Sequence, residues 1–127
     1  MTPSRLIETS QVLALASLLI VPAPAVPPSP VAEAAENSDL ASLRLLVNDR
    51  ADVNARQADG MTALHWAVYH GSLQATRMLL AAGAEVGATN QYGVPPLSLA
   101  CQGGNAGIVE HLLEHGADPN ATLRGGE

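Results

Sequence analysis

Apolar residues recur at helical spacing in three separated blocks of the chain. Leu43, Leu46 and Val47 form the first, Leu73, Met78, Leu79 and Leu80 the second, and Ile108, Val109, Leu112 and Leu113 the third. Asp39, Ser72 and Asn105 stand just ahead of these blocks, where a side-chain oxygen can accept the orphan N–H groups that open a helix. A shorter candidate helix precedes each block. It is opened by Ser29-Pro30, by Thr62 and by Pro95-Pro96, since Ser and Thr cap and proline suits a first helical turn. Gly71 and Gly104 are placed to close two of these short helices with a left-handed residue. Gly83 and Gly116 end the longer helices, and Asp59-Gly60 and Tyr92-Gly93 read as tight turns. The pattern predicts short helix, turn, longer helix and protruding loop, three times over from residue 29.

The units are copies of one another. At an offset of 33 residues, Gly60 meets Gly93, Leu64 meets Leu97, Ala67 meets Ala100 and Gly71 meets Gly104. The same offset joins Leu79-Leu80 to Leu112-Leu113, Gly83-Ala84 to Gly116-Ala117 and Ala88-Thr89 to Ala121-Thr122. It also reaches backward, more sparsely, through Arg44 to Arg77, Leu46 to Leu79, Ala51 to Ala84, Val53 to Val86 and Ala55 to Ala88. A fixed period of this length is the mark of a stacked repeat protein. One two-helix unit cannot bury its apolar faces alone, whereas three in a stack share a continuous aliphatic core.

Thr62-Ala63-Leu64-His65-Trp66-Ala67 resembles the T-P-L-H-x-A signature of ankyrin repeats, departing only at Ala63. Gly83-Ala84-Glu85-Val86 and Gly116-Ala117-Asp118-Pro119-Asn120-Ala121 are similar to that family's closing G-A-D-V-N-A segment. The resemblance spans residues 29–127. It implies an all-α ankyrin-repeat solenoid with a degenerate repeat at about 29–58, repeats at 59–91 and 92–124, and the start of a further one at 125–127. Repeat three has Pro95-Pro96-Leu97-Ser98 and so lacks the Thr and His. Repeat one has Ser29-Pro30-Val31-Ala32, and Arg50 where the others carry Gly. The resemblance further implies that His65 is structural, bonded to the Thr62 hydroxyl and to the backbone of the next repeat.

Residues 1–25 read differently. Arg5 lies in a short polar start, Val12 to Val21 is an unbroken run of small and apolar residues, and Ala23-Pro24-Ala25 has the form of a cleavage site. Ten residues span roughly 15 Å as a helix, about half a bilayer core, so the run fits a secretory signal peptide rather than an anchor. Glu8 offsets Arg5, which leaves a disordered or wrongly translated leader as the alternative. The proline-rich stretch at 26–30 is a linker. Export to a bacterial periplasm or the cell exterior follows if the signal functions, and a cytoplasmic address if it does not. After signal removal no membrane insertion is expected.

Charge and cysteine content narrow the chemistry. The chain has six basic residues, all arginine, and twelve acidic ones, for a net charge of −6. That balance argues against nucleic acid, whose phosphates call for clustered positive charge. The single cysteine, Cys101, excludes a disulfide framework and a thiolate zinc site. Its place after Ala100 reads as a buried, inert position between helices. His111-Leu112-Leu113-Glu114-His115 spells an inverted zinc-protease motif. The repeat explains it more simply, with Leu112-Leu113 as the core pair and His115 at a helix C-terminus. No third ligand can be assigned, and no metal, cofactor or catalytic set is expected. Asn120-Ala121-Thr122 is a glycosylation sequon within the closing segment.

Function is therefore expected on exposed faces. The resemblance implies a concave surface made by the short helices and the loops, with Glu33, Glu36, Trp66, Tyr69, His70 and Gln102 on the helices and Arg56, Gln57 and Tyr92 in the loops. All three aromatic residues fall in this set, and aromatics with arginine supply most anchoring energy in interfaces. Trp66 has a second reading, packing between neighbouring short helices. The expectation is a non-enzymatic protein–protein interaction module with an unknown protein partner. Glu33 and Glu36 would favour basic or polar contacts. Two alternatives stand beside it. One is the targeting arm of a larger exported enzyme, in a chain read as the front of a longer protein. The other is a self-associating piece joined through an uncapped C-terminal repeat, with Leu97, Cys101, Ile108 and Leu112 near the exposed face.

Overall fold

A computed structural model describes residues 29–121. The signal peptide assigned to 1–25, the linker up to residue 28 and the repeat start at 125–127 lie outside the described residues. Six helices follow in order, with no strand among the described residues: α1 Pro30–Glu36, α2 Leu40–Asn48, α3 Ala63–Tyr69, α4 Leu73–Ala81, α5 Pro96–Gly103 and α6 Ala106–Glu114. Short and long helices alternate, one pair per repeat. No described helix is long and apolar enough to cross a membrane.

The capping residues act as their chemistry requires. Ser29 Oγ accepts Ala32 N–H at 3.0 Å with Pro30 in the first turn of α1. Asp39, Ser72 and Asn105 accept the N–H groups of Ser42, Ala75 and Ile108 at the starts of α2, α4 and α6. The Ser42 hydroxyl also donates to Asp39 at 2.6 Å, and these bonds hold the Asp39 carboxyl below the usual carboxylate range. Pro95 precedes α5 without a side-chain cap, so the Pro-Pro pair replaces the Thr cap of repeat two by fixing the backbone alone.

Short helices pack on short helices, α1 on α3 on α5, and long on long, α2 on α4 on α6. Ala34, Ala35, Ala67 and Ala100 are buried on the short helices, and such small side chains let this layer sit close. Leu43, Leu64, Leu79, Leu97, Ile108 and Leu112 fill the space between layers. The loops lock the stack. Asp59 O accepts Gln91 N–H at 2.9 Å, and a Cβ on Gly60 would lie 2.9 Å from that same nitrogen. Gly60 therefore serves both its left-handed φ of +82° and the close passage of the next loop. Asn54 joins repeat one to repeat two, accepting Glu85 N–H and donating to the Gly83 carbonyl.

Repeat one is degenerate at the two places where glycine is missing. Ser38 has φ +57° and Arg50 φ +60°, while their counterparts Gly71, Gly104, Gly83 and Gly116 share the same left-handed region. The backbone keeps the repeat geometry and non-glycine residues are held in it.

The C-terminal end corrects three expectations. Cys101 is exposed, not buried. Leu113 is 42% exposed, so it is no partner of Leu112 in the core. Leu97, Ile108 and Leu112 are buried rather than near the open face. Leu97, Ile108 and Leu112 belong to the core shared with the preceding repeat, while Cys101 and Leu113 face the other way. Val68 and Leu80, one repeat earlier than Cys101 and Leu113, are buried in the stacked interior, whereas among the described residues no further repeat packs on the far side of α5 and α6. The face left open is a shallow apolar groove lined by Ala100, Cys101, Gly104, Ala106, Val109 and Leu113. Gly93, the counterpart of Gly60, has no atom within 4 Å of where its Cβ would stand.

Candidate functional site

Residue His65 is held by hydrogen bonds at both ring nitrogens. It is fully buried, and its partners fix its proton. Thr62 N–H donates to Nδ1 at 3.2 Å, with the Thr62 hydroxyl 2.8 Å from the same nitrogen, so Nδ1 is an acceptor and Nε2–H donates to Val94 O at 2.9 Å. Burial pushes the imidazole below the ordinary value of 6.5, against the opposing effect of the Val94 carbonyl. With both nitrogens spent on the chain, His65 ties repeat two to repeat three and has no free edge for chemistry. The structural role that the resemblance implied is the one its bonds describe.

Five of the nine surface residues singled out from sequence form one cluster. Helix α3 places Trp66, Tyr69 and His70 at i, i+3 and i+4, on one face. Trp66 and Tyr69 meet edge-on with centroids 5.7 Å apart, Trp66 and His70 stack at 5.9 Å, and Tyr69 meets His70 at 5.3 Å. Two residues from neighbouring segments complete the set. Trp66 Nε1–H donates to Gln57 Oε1 at 2.7 Å, Gln57 Nε2–H donates to Glu36 Oε1 at 2.8 Å, and His70 Nε2–H donates to the Glu36 carbonyl at 2.8 Å. The repeat-two rings are thus bound to the end of the first helix of repeat one. Trp66 is half-buried and packs against the core, while Tyr69 is 62% exposed.

The other four lie apart. Arg56 donates to the Thr89 carbonyl at 3.2 Å, which makes it a loop clamp. Tyr92, 79% exposed, sits at the tip of the turn that Asn90 organises by accepting Tyr92 N–H and Val94 N–H. Glu33 and Gln102 are exposed on α1 and α5. Among the described residues no hydrogen bond joins these three to the ring cluster.

Two features were not anticipated. An apolar cleft of about 70 Å³ lies between repeats one and two, lined by Ala34, Ala35, Leu40, Leu43, Ala67 and Ala75, with Asp39 and His70 also on its wall. The signal was available: Ala35 and Ala75 stand where repeats two and three have Val68 and Ile108. The second is the turn role of Asn90, whose position before Tyr92-Gly93 suited an Asx turn.

The H-x-x-E-H segment lies on α6 and at its end. His111 Nε2 accepts Arg77 Nε–H at 3.1 Å, and His115 Nδ1–H donates to the His111 carbonyl at 2.9 Å. A guanidinium on His111 opposes a cation there. Among the described residues no three His, Cys, Asp or Glu side chains gather in a way that could hold a metal ion.

A family model described as ankyrin repeats matches residues 30–122, in three copies. No curated protein matches the sequence.

Proposed function

The chain belongs to the ankyrin-repeat family, and we propose that it is a recognition module whose groove of short helices and loops captures a partner protein without catalysis. Members of this family are generally non-catalytic protein-interaction modules. The observation that carries the reading is the cluster of Trp66, Tyr69 and His70. Three rings on one face, with Tyr69 62% exposed, leave a rigid aromatic surface open to contact. Side chains of this type anchor interfaces at low entropic cost. Tyr92, exposed at a loop tip, extends the surface. The test is capture from the native host by the full chain, compared with Tyr69→Ala and Tyr92→Ala variants. Loss of one captured protein at unchanged helical content supports the groove, and full capture by both variants together overturns it.

A second reading has its own observation. Cys101 and Leu113 are exposed at the open face, and the Ser98 hydroxyl is buried there without a hydrogen-bond partner. Its repeat-two counterpart, His65, bonds the backbone of the following repeat. A second copy stacked on α5 and α6 would cover this face. Light scattering against concentration tests it, and a constant monomer mass refutes it. For the address, we propose export through the leader at 1–25. Sequencing the N-terminus of the mature protein from fractionated cells tests cleavage after Ala25, and an intact Met1 in the cytoplasm excludes it.

A further inference from the structure

We infer that the rings of Trp66 and Tyr69, together with the Glu36 carboxylate, form a subsite for an arginine side chain, so that the partner offers a basic segment to the groove. The inference rests on the recognition reading above and supplies the chemistry of its partner.

The indole N–H of Trp66 is spent on Gln57, His70 stacks on the ring and the ring packs against the core, so Trp66 offers only the part of its ring that these contacts leave uncovered. Tyr69 is 62% exposed and meets Trp66 and His70 at steep interplanar angles of 89° and 72°, so much of the side chain is open to solvent. Aromatic faces carry negative quadrupole density and attract cations. The Glu36 carboxylate is exposed, and only its Oε1 is engaged, with a neutral amide. Two hydrogen bonds in series link it to the Trp66 indole, and its own carbonyl holds His70. Carboxylate and rings therefore belong to one braced unit rather than to separate loose side chains.

Among the described residues no arginine is hydrogen-bonded or ion-paired to this unit, and the basic side chain that lies against its rings is His70. Arg56 is bonded to Thr89 and Arg77 to His111, and the one ion-pair contact among the described residues joins His111 to Glu114. Glu33, one helical turn before Glu36 on α1, adds a second exposed carboxylate. A neutral apolar anchor would use the rings alone, and an acidic one would meet repulsion from Glu33 and Glu36. Arginine uses both halves: its planar guanidinium stacks on an aromatic face and presents a fork of N–H donors to a carboxylate. The net charge of −6 favours encounter with a basic segment in the same sense.

The experiment exploits Trp66, the chain's one tryptophan, whose emission reports on this subsite. The full chain is titrated with a short glycine-arginine peptide and with the same peptide carrying citrulline, the uncharged isostere, at each arginine. The expected result is a saturable change in Trp66 emission with the arginine peptide, weakened by salt, and none with citrulline. Tyr69→Ala and Glu36→Gln should each weaken binding about two- to fivefold, the range for exposed cation–π contacts and ion pairs. Both sites are exposed, and glutamine at 36 keeps an oxygen for Gln57. Equal binding of the citrulline peptide overturns the arginine subsite while leaving groove recognition intact. No response to either peptide at the solubility limit also overturns it, and groove recognition is then judged by the capture experiment alone.

Discussion

Ser38 and Arg50 hold left-handed backbone without being glycine, at φ +57° and +60°. At the matching places, repeats two and three have glycine with φ between +70° and +95°. An L-residue in that region costs roughly 1–2 kcal/mol, while glycine gives back roughly 0.5–1 kcal/mol in unfolded-state freedom. Each of Ser38→Gly and Arg50→Gly is therefore expected to stabilise the fold by about 0.5–1 kcal/mol. Little is lost in exchange. Both residues are exposed, and the backbone bonds of the two turns, Asp39 N–H to Ala34 O and Ala51 N–H to Leu46 O, need no side chain. The sites flank the nine residues of α2, roughly 14 Å at the helical rise, far enough apart for the gains to add. Urea unfolding followed by circular dichroism is the assay. The midpoint should rise with little change in slope, and the double variant should gain about 4–8 °C in Tm for each kcal/mol. Asn37→Gly, one residue earlier at φ −84°, is the control and should destabilise. If the two glycine variants prove neutral or less stable than the parent, the account of strain in repeat one is wrong.

Three further outcomes follow from the packing and the bonds. Ala35→Val, which restores at repeat one the residue found at Val68, should fill part of the cleft beside Ala75 and add about 1 kcal/mol of stability by chemical denaturation; a loss would mean the cleft cannot admit the side chain. Gly60→Ala should cost more than about 2 kcal/mol, since a strained φ is joined by a Cβ 2.9 Å from Gln91 N, whereas Gly93→Ala should cost only about 0.5–1 kcal/mol, the left-handed term less the unfolded-state freedom that glycine gives up. Equal costs would deny the close loop passage. For His65, burial lowers the folded-state pKa below 6.5. Its contribution to stability is therefore complete above 6.5 and is lost as pH falls through the lower folded value. A ring-proton titration by NMR should find the His65 midpoint below 6.5, and one at or above it contradicts the burial argument.

How much of this was legible in the sequence differs by kind of feature. The caps, helix ends and turns were readable because each depends on residues within four or five positions: Ser29, Asp39, Ser72 and Asn105 all cap the helices they precede. The stack was readable because a 33-residue period repeats the same apolar face. What failed was burial at the end of the array. Cys101 and Leu113 have the residue types of core positions, and the period states which face they share but not whether anything stands against it. The nine candidate surface residues were placed on exposed or half-buried positions. The link of Glu36, Gln57 and Trp66 was not visible, because it joins separate segments through side-chain rotamers that no spacing encodes. The cleft was missed for a simpler reason: two alanines look like ordinary small core residues until set beside Val68 and Ile108.

The bonds from Trp66 to Gln57 and from His70 to Glu36 run across the seam between the first two repeats. A ligand that grips both sides of that seam is thermodynamically coupled to the docking of the first repeat. Fraying of the chain's leading unit removes part of the surface being gripped, and occupancy of the groove in turn holds that unit in place. Affinity in such a molecule is set in part by how firmly its terminal unit stays folded, so a substitution that relieves backbone strain at Ser38 or Arg50 would tighten binding without touching the bound molecule.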